Sequence, residues 1–148
     1  MPIQTTNHAL NYILNLKQEE AFNNSISFIC SMNLSSEIIM EDSDLYLLLS
    51  NLIDNAITHI GIEKKIRIII RDVLDTIMIQ VRNSVDGTVI SKDGTFLYMD
   101  RSEEHGYGLT TIKLLTDKYN GEFIIEQDGQ EAVCSVFIPQ KQQAPQQE

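Results

Sequence analysis

The segment from Asp44 to His59 has apolar and polar positions that repeat with the period of a helix. The apolar positions recur every three or four residues and form one broad stripe suited to packing on a core: Leu45, Leu48, Leu49, Leu52, Ile53 and Ala56. The polar stripe consists of Asp44, Asn51, Asn55 and Thr58. Asn costs about 0.5–0.7 kcal/mol relative to Ala in a helix interior, so a pair one turn apart suggests a use. Such a pair holds a hydrated cation, hydrogen-bonds a ligand, or simply faces water.

Further elements follow from the same kind of pattern on both sides of this helix. A first helix is expected from a cap at Thr5 or Thr6 to about Phe22, and alternation over residues 26–32 predicts a strand. Two β-branched runs, at residues 65–71 and 76–82, predict an antiparallel hairpin. Residues 87–104 are turn-rich, with weak strand patterns at 88–90 and 95–98, and loops this long are usually functional or mobile.

The C-terminal part of the chain predicts one more helix and a closing hairpin. The helix opens at Gly106, has apolar positions at Leu109, Ile112, Leu115 and Tyr119, and ends at a cap formed by Asn120 and Gly121. Strands at residues 123–126 and 132–138 follow it. The complete order predicts a two-layer α/β sandwich, in which helices cover one face of a mixed, mostly antiparallel sheet.

Composition indicates one soluble, acidic domain. With 43% hydrophobic residues, residues 1–139 suffice for a single core, and residues 140–148 form a polar tail that we expect to be disordered. The net charge of -10 and the scattered basic residues disfavour binding to nucleic acid or anionic membranes. Cys30 and Cys134 are interpreted as buried thiols in a reducing compartment. Without a signal-peptide pattern or a run of roughly 20 apolar residues, we expect a cytosolic location.

A second polar pattern lies at residues 103–109, where Gly106 and Gly108 stand in the stretch that opens the predicted helix. Glycines allow close approach of backbone N–H groups to an anion, and a helix N-terminus favours negative charge. This stretch is a plausible phosphate cradle or an ordinary turn. It has neither the P-loop nor the dinucleotide-binding glycine spacing.

Taken together, the two polar patterns resemble those of a known family. The sequence Leu-Ser-Asn-Leu-Ile-Asp-Asn-Ala at residues 49–56 resembles the N-box of the GHKL ATPase superfamily. His-Gly-Tyr-Gly-Leu at 105–109, followed by Ile112 and by residues 118–121, resembles its second glycine box. The branch that is most similar is the AgrC-type quorum-sensing sensor histidine kinases, which carry a segment like residues 6–17. The resemblance spans about residues 5–138 and implies the Bergerat-type ATP-binding fold.

The resemblance implies ATP and Mg²⁺ as cofactors and assigns roles to residues of both motifs. Asn55 matches the family's Mg²⁺ ligand. Asn51 matches a position where the gyrase and chaperone branches have a Glu general base; because an amide cannot take up a proton, the kinase branch fits better. Residues 87–104 match the lid over the nucleotide. The glycine-box residues match the phosphate-binding turn and its flanks: His105, Gly106, Tyr107, Gly108 and Leu109.

Two positions depart from the superfamily pattern. Asn83 stands where most members have an Asp that accepts a hydrogen bond from adenine, although the AgrC-type branch itself tends to have Asn there. Its carbonyl oxygen accepts the same bond without charge assistance, so we expect weaker adenine binding. Thr58 stands where many kinases have a Lys, so one phosphate contact is missing or comes from elsewhere, with Arg101 and Lys92 as candidates.

The resemblance therefore predicts the catalytic domain of a two-component sensor histidine kinase, in the cytosolic part of a membrane-anchored protein. It would donate the ATP γ-phosphate to a His on a separate helical hairpin, the dimerisation domain of the same kinase, with a response regulator downstream. We expect the isolated domain to be monomeric, and none of His8, His59 and His105 to be the phosphoacceptor. The alternatives are a degenerate GHKL binding module and an anti-sigma-type protein-serine kinase, against which the segment 6–17 argues.

Overall fold

The computed structural model describes residues 7–97 and 103–140, and within them the side chains of all but residues 103–107. The elements, in chain order, are α1 (His8–Asn23), β1 (Ser27–Asn33), α2 (Asp42–Thr58), β2 (Lys65–Val73), β3 (Thr76–Ser84), α3 (Glu103–Lys118), β4 (Glu122–Asp128) and β5 (Glu131–Pro139). Their order is the one predicted from the sequence.

The five strands form one sheet in the order β1-β2-β3-β5-β4. β1 pairs with β2 in parallel, and the other three pairs are antiparallel. Strand residues alternate between the two faces, so Ile66, Ile68 and Ile70 of β2 are buried while Arg67 and Arg71 are exposed. The predicted two-layer α/β sandwich is therefore confirmed.

Helix α2 is the centre of the helical layer and packs against α1, α3 and β3. The six residues of its predicted apolar stripe are all completely buried. At the start of α2, Asp44 accepts hydrogen bonds from Lys118 Nζ at 2.7 Å and from Tyr119 Oη at 2.5 Å. These bonds fix the end of α3 beside the start of α2.

The turns follow from local backbone preferences. Leu74 and Asp75 join β2 to β3, and both have positive φ, at 52° and 61°, which matches the right-handed twist of a two-residue hairpin. At the end of α3, Asn120 has φ 58° and Gly121 N donates to Thr116 O at 2.9 Å. This is the Schellman arrangement, so the predicted Asn-Gly cap is confirmed.

Several predicted boundaries were wrong. The cap of α1 is Asn7, whose Oδ1 accepts from Leu10 N at 2.9 Å; Thr5 and Thr6 lie outside the described residues. Gln140, assigned to the disordered tail, is bonded into the fold: its N donates to Asp75 O at 2.6 Å and its Nε2 to Glu37 O at 2.6 Å. Residues 141–148 lie outside the described residues.

The predicted long loop is partly packed against the core. Ile90 and Phe96 form a single antiparallel bridge rather than two strands, and both side chains are buried. The Gln127 side chain accepts from Val89 N at 2.9 Å and from Ile90 N at 3.2 Å. Residues 98–102 lie outside the described part of the chain, and so does the end of the weak strand pattern at 95–98.

Cys134 is buried as predicted, whereas Cys30 on the edge strand β1 is only half-buried, and both thiols are free. Within residues 7–97 and 103–140, no helix is long and apolar enough to cross a membrane.

Candidate functional site

A cavity of about 360 Å³ lies where α1, α2 and α3 meet. Its lining combines amides, ionisable groups and a helical glycine: Lys17, Glu20, Asn51, Asp54, Asn55, Ile57, Thr58, Gly108 and Leu109. Five of these residues belong to the two polar patterns singled out in the sequence: Asn51, Asn55, Thr58, Gly108 and Leu109. The polar stripe of α2 and the glycine stretch therefore face the same space.

The amide groups of α2 are oriented by bonds through their nitrogens. Asn51 Nδ2 donates to Leu47 O at 2.8 Å, one turn back in the helix. Asn55 Nδ2 lies 3.6 Å from Cys134 Sγ on the underlying strand β5. Since the two ends of an amide point in different directions, these bonds direct Nδ2 toward the protein and favour Oδ1 as the ligand atom. Amide oxygens are ligands that Mg²⁺ accepts.

Gly108 brings α3 close to α2 at the cavity. A Cβ atom on Gly108 would lie 3.5 Å from Asn51 Oδ1, so a side chain there would fill the space between the two helices. The absence of that side chain leaves the backbone of α3 open to the cavity. Leu109 borders the cavity next to it.

The predicted start of this helix at Gly106 was three residues late. Helix α3 begins at Glu103, so Gly106 and Gly108 lie within its first two turns. Acidic residues such as Glu103 and Glu104 favour the start of a helix, which explains why the helix extends back past the glycines. Only the first four N–H groups of a helix lack an intrahelical partner, and that of Gly108 is beyond them. The side chains of His105 and Tyr107 lie outside the described residues.

Sequence reasoning missed Lys17, which lies on the buried side of α1 and is 7% exposed. Its Nζ donates to Asp54 Oδ1 at 2.7 Å and to Glu20 Oε2 at 3.1 Å. Burial by itself would lower the pKa of Lys17, but the hydrogen bonds to Asp54 and then Glu20 outweigh it and hold that pKa above its usual range. A signal was present in the sequence, because Lys17 continues the helical spacing of Leu10, Ile13 and Ala21.

Asn83 is not among the residues that line this cavity. It is buried on β3, and its Nδ2 donates to His59 O at 3.3 Å and to Ser84 O at 3.1 Å. Its place is thus at the C-terminal end of α2. There His59 Nδ1 lies 2.9 Å from Asn55 O, a favourable position for a histidine at a helix C-terminus, and its ring stacks on Phe96 with centroids 4.1 Å apart.

Lys92, one of the two basic residues suggested as phosphate contacts, does not line the cavity. Lys92 is exposed in the turn before Thr95, and Arg101 lies outside the described residues. Within the described residues, no group of three or more His, Cys, Asp or Glu side chains could hold a metal by itself. A Mg²⁺ ion at Asn55 would therefore take further ligands from water and phosphate, as Mg²⁺ commonly does.

The family model described as GHKL domain matches residues 40–139, well over half of the 148-residue chain. The chain belongs to the GHKL domain family. GHKL domains bind ATP, and the matched range contains α2, α3 and the amide and glycine motifs.

The fold of this chain is similar to that of solved histidine kinase structures. The catalytic domain of histidine kinase ThkA, in a nucleotide-free form, is 20% identical, with a TM-score of 0.74 and 93% of each chain covered. A mycobacterial sensor histidine kinase, MprB, is 14% identical with a TM-score of 0.67, covering 88% of this chain and 95% of that one. The histidine kinase AdeS of Acinetobacter baumannii is 16% identical with a TM-score of 0.68, covering 90% of this chain and 64% of that one. None of the curated proteins compared matches the chain.

Proposed function

We propose that this chain binds Mg-ATP between α1, α2 and α3 and acts as the catalytic domain of an AgrC-type sensor histidine kinase. The observation that carries the proposal is the meeting of two distant motifs at one cavity. Asn51 and Asn55 come from α2 and Gly108 from α3, and a Cβ on Gly108 would reach Asn51 Oδ1. Amide oxygens beside an open backbone suit a hydrated metal ion and the phosphates that it bridges.

In this proposal the nucleotide extends along α2. Mg²⁺ would supply charge neutralisation of the phosphates, with Asn55 Oδ1 as its protein ligand and Asn51 bordering the phosphates. Asn83 would contact the adenine near the C-terminal end of α2. The flanks of the phosphate site would come from α3: His105, Gly106, Tyr107, Gly108 and Leu109.

The phosphoryl acceptor would be a His on a separate helical hairpin, because neither described histidine side chain lines the cavity. His8 lies on the outer side of α1, and His59 bonds to the end of α2. The structure of ThkA in complex with the response regulator TrrA, 20% identical to this chain with a TM-score of 0.71 and 41% of that chain covered, is the precedent for a downstream regulator. We infer a monomeric domain in the cytosolic part of a membrane-anchored kinase, within a quorum-sensing system.

Calorimetric titration with Mg-ATP tests the binding step. Asn55→Ala removes the metal ligand, and Asn55→Asp adds a third carboxylate to a cavity that already holds Glu20 and Asp54. Both should weaken Mg-ATP binding about tenfold or more, since hydrogen bonds and ligand contacts to charged groups are each worth about 1.5–3 kcal/mol. Asn15→Ala is the control, because Asn15 is a helical Asn on α1 that lies outside the cavity, with its Nδ2 bonded to Asn11 O at 2.7 Å.

Failure of the parent chain to bind Mg-ATP would favour the degenerate binding module instead. Parent-like binding by both Asn55 variants would show that the metal ligand is wrongly assigned.

Radiolabelled Mg-ATP tests the transfer step. Positioning of the acceptor in line with the γ-phosphate supplies much of the rate of phosphoryl transfer, and Asn51 offers no base to activate water. The isolated chain should therefore label itself and hydrolyse ATP only at a trace rate. Addition of the kinase's helical hairpin should give acid-labile, base-stable label on that hairpin. Robust label on the isolated chain, or fast hydrolysis without a partner, would contradict the kinase-domain assignment in favour of a self-contained enzyme.

A further inference from the structure

The buried ammonium group of Lys17 is the one basic group among the described residues that line the cavity. Lysine is almost never buried unless it is paired, and Lys17 is paired twice, with Glu20 on its own helix and with Asp54 on α2. Its side chain reaches from the core side of α1 to Asp54 of α2, which borders the same cavity as Asn51 and Asn55. Neither of the two polar motifs in the sequence includes it.

The bonding of Lys17 leaves it able to take another acceptor. An ammonium group has three N–H donors, and the two carboxylates account for two of them, at 2.7 and 3.1 Å. Both partners are on the solvent side, with Asp54 51% and Glu20 45% exposed as side chains, while Lys17 is held between them. The carboxylates thus fix the position of the cation at the cavity wall.

The charge balance of the cavity indicates what this cation does. Lys17 faces two carboxylates, so the described lining has one more negative than positive charge, which disfavours a bare triphosphate. Mg²⁺ would reverse that balance, and a directional donor would then be needed for the phosphate oxygens that the metal does not hold. Thr58 carries no charge, so Lys17 is suited to this role.

The position along α2 indicates which phosphate is contacted. Lys17 bonds to Asp54, the residue that precedes the proposed metal ligand Asn55, and all three residues line the same cavity. In phosphoryl-transfer sites the metal ion is held by the last two phosphates, so the end of the triphosphate would lie beside this part of α2. We propose that Lys17 contacts the terminal phosphate of Mg-ATP and thereby makes this cavity select ATP over ADP. This inference rests on the proposed function.

Calorimetry on the 148-residue chain with Mg-ATP and Mg-ADP tests this role. Lys17→Met should weaken Mg-ATP binding about tenfold or more and change Mg-ADP binding less than about twofold, since only the terminal phosphate loses a charged partner. A lysine that merely ties α1 to α2 would affect both nucleotides equally. Lys113→Met is the matched control, because Lys113 is exposed on α3 and does not line this cavity.

A double variant covers the case in which Lys17→Met unfolds the chain by leaving Asp54 without its cation. Lys17→Met combined with Asp54→Asn should lose the preference for ATP relative to Asp54→Asn alone. Retention of that preference in either Lys17 variant, or an equal loss in Lys113→Met, would overturn the role of Lys17. Absence of Mg-ATP binding by the parent would overturn the proposed function together with it.

Discussion

Replacement of Gly108 by Ala should separate the stability of the fold from the binding of nucleotide. Gly108 lies within α3 and is not among the glycines with positive φ, so an Ala adopts its backbone conformation without strain. Its Cβ would lie 3.5 Å from Asn51 Oδ1, which is an ordinary van der Waals contact. Glycine in a helix costs roughly 0.5–1 kcal/mol relative to Ala. Gly108→Ala should therefore keep or raise the free energy of unfolding, by up to about 0.5 kcal/mol near the frayed start of a helix.

The same methyl group should interfere with binding. At 3.5 Å from Asn51 Oδ1 it leaves no space for a phosphate oxygen or a water molecule between α2 and α3 at that point. The loss of one contact between a phosphate oxygen and this part of the cavity is worth about 1.4 kcal/mol. The Kd for Mg-ATP should therefore rise about tenfold. The variant is expected to be at least as stable as the parent and to bind more weakly.

Urea unfolding and calorimetry with Mg-ATP measure the two effects separately. Gly121→Ala serves as the steric control, because its Cβ would lie 2.2 Å from Phe137 O and should destabilise the fold strongly. Gly129→Ala has open space but φ 61°, so it should lose about 1 kcal/mol of stability through left-handed backbone strain, without weaker binding. If Gly108→Ala bound Mg-ATP as tightly as the parent, the phosphates would not need the space between α2 and α3 at Gly108. A clear loss of stability would show that the Cβ introduced by Gly108→Ala does not fit beside Asn51 as an ordinary van der Waals contact.

Three further expectations concern acid stability, thiol reactivity and loop protection. The hydrogen bond from Lys118 lowers the pKa of Asp44, so the stabilising effect of this carboxylate is complete above about pH 4, its unfolded-state value, and is lost as the pH falls through the folded-state pKa. Urea unfolding should show Asp44→Asn less stable than the parent at pH 7, with a gap that narrows below pH 4; a constant gap would contradict the ion-pair explanation. Burial raises the pKa of Cys134 to about 12, so iodoacetamide at pH 8 should modify it in urea but not in the native protein. Hydrogen exchange over residues 87–104 should be the fastest in the chain interior without nucleotide and slow down with an ATP analogue; equal rates in both states would contradict the lid assignment.

The sequence by itself determined the elements of this protein and their order. The apolar spacing of α2 predicted its six core residues, because a helix face repeats on the scale of a single turn. The hairpin of β2 and β3 and the cap at Asn120 were also predicted, because each depends on residues that are close together in the sequence. The polar stripe of α2 also predicted that Asn51 and Asn55 share one face of the helix. This is confirmed, because both residues line the same cavity.

Only the tertiary structure decided which distant residues form the wall of the cavity. Lys17 and Asp54 are 37 residues apart, and Asn55 and Cys134 are 79 apart, so no periodicity within one element relates them. The start of α3 at Glu103 depended on a competition between helix-forming glutamates and helix-disfavouring glycines, which residue spacing does not resolve. Gln140 was assigned to a polar tail, yet the β2–β3 turn and the segment before α2 together offer partners for its backbone and side chain. The sequence around a polar side chain does not identify its hydrogen-bond partner, because the partner is brought close only when whole helices and strands pack against one another.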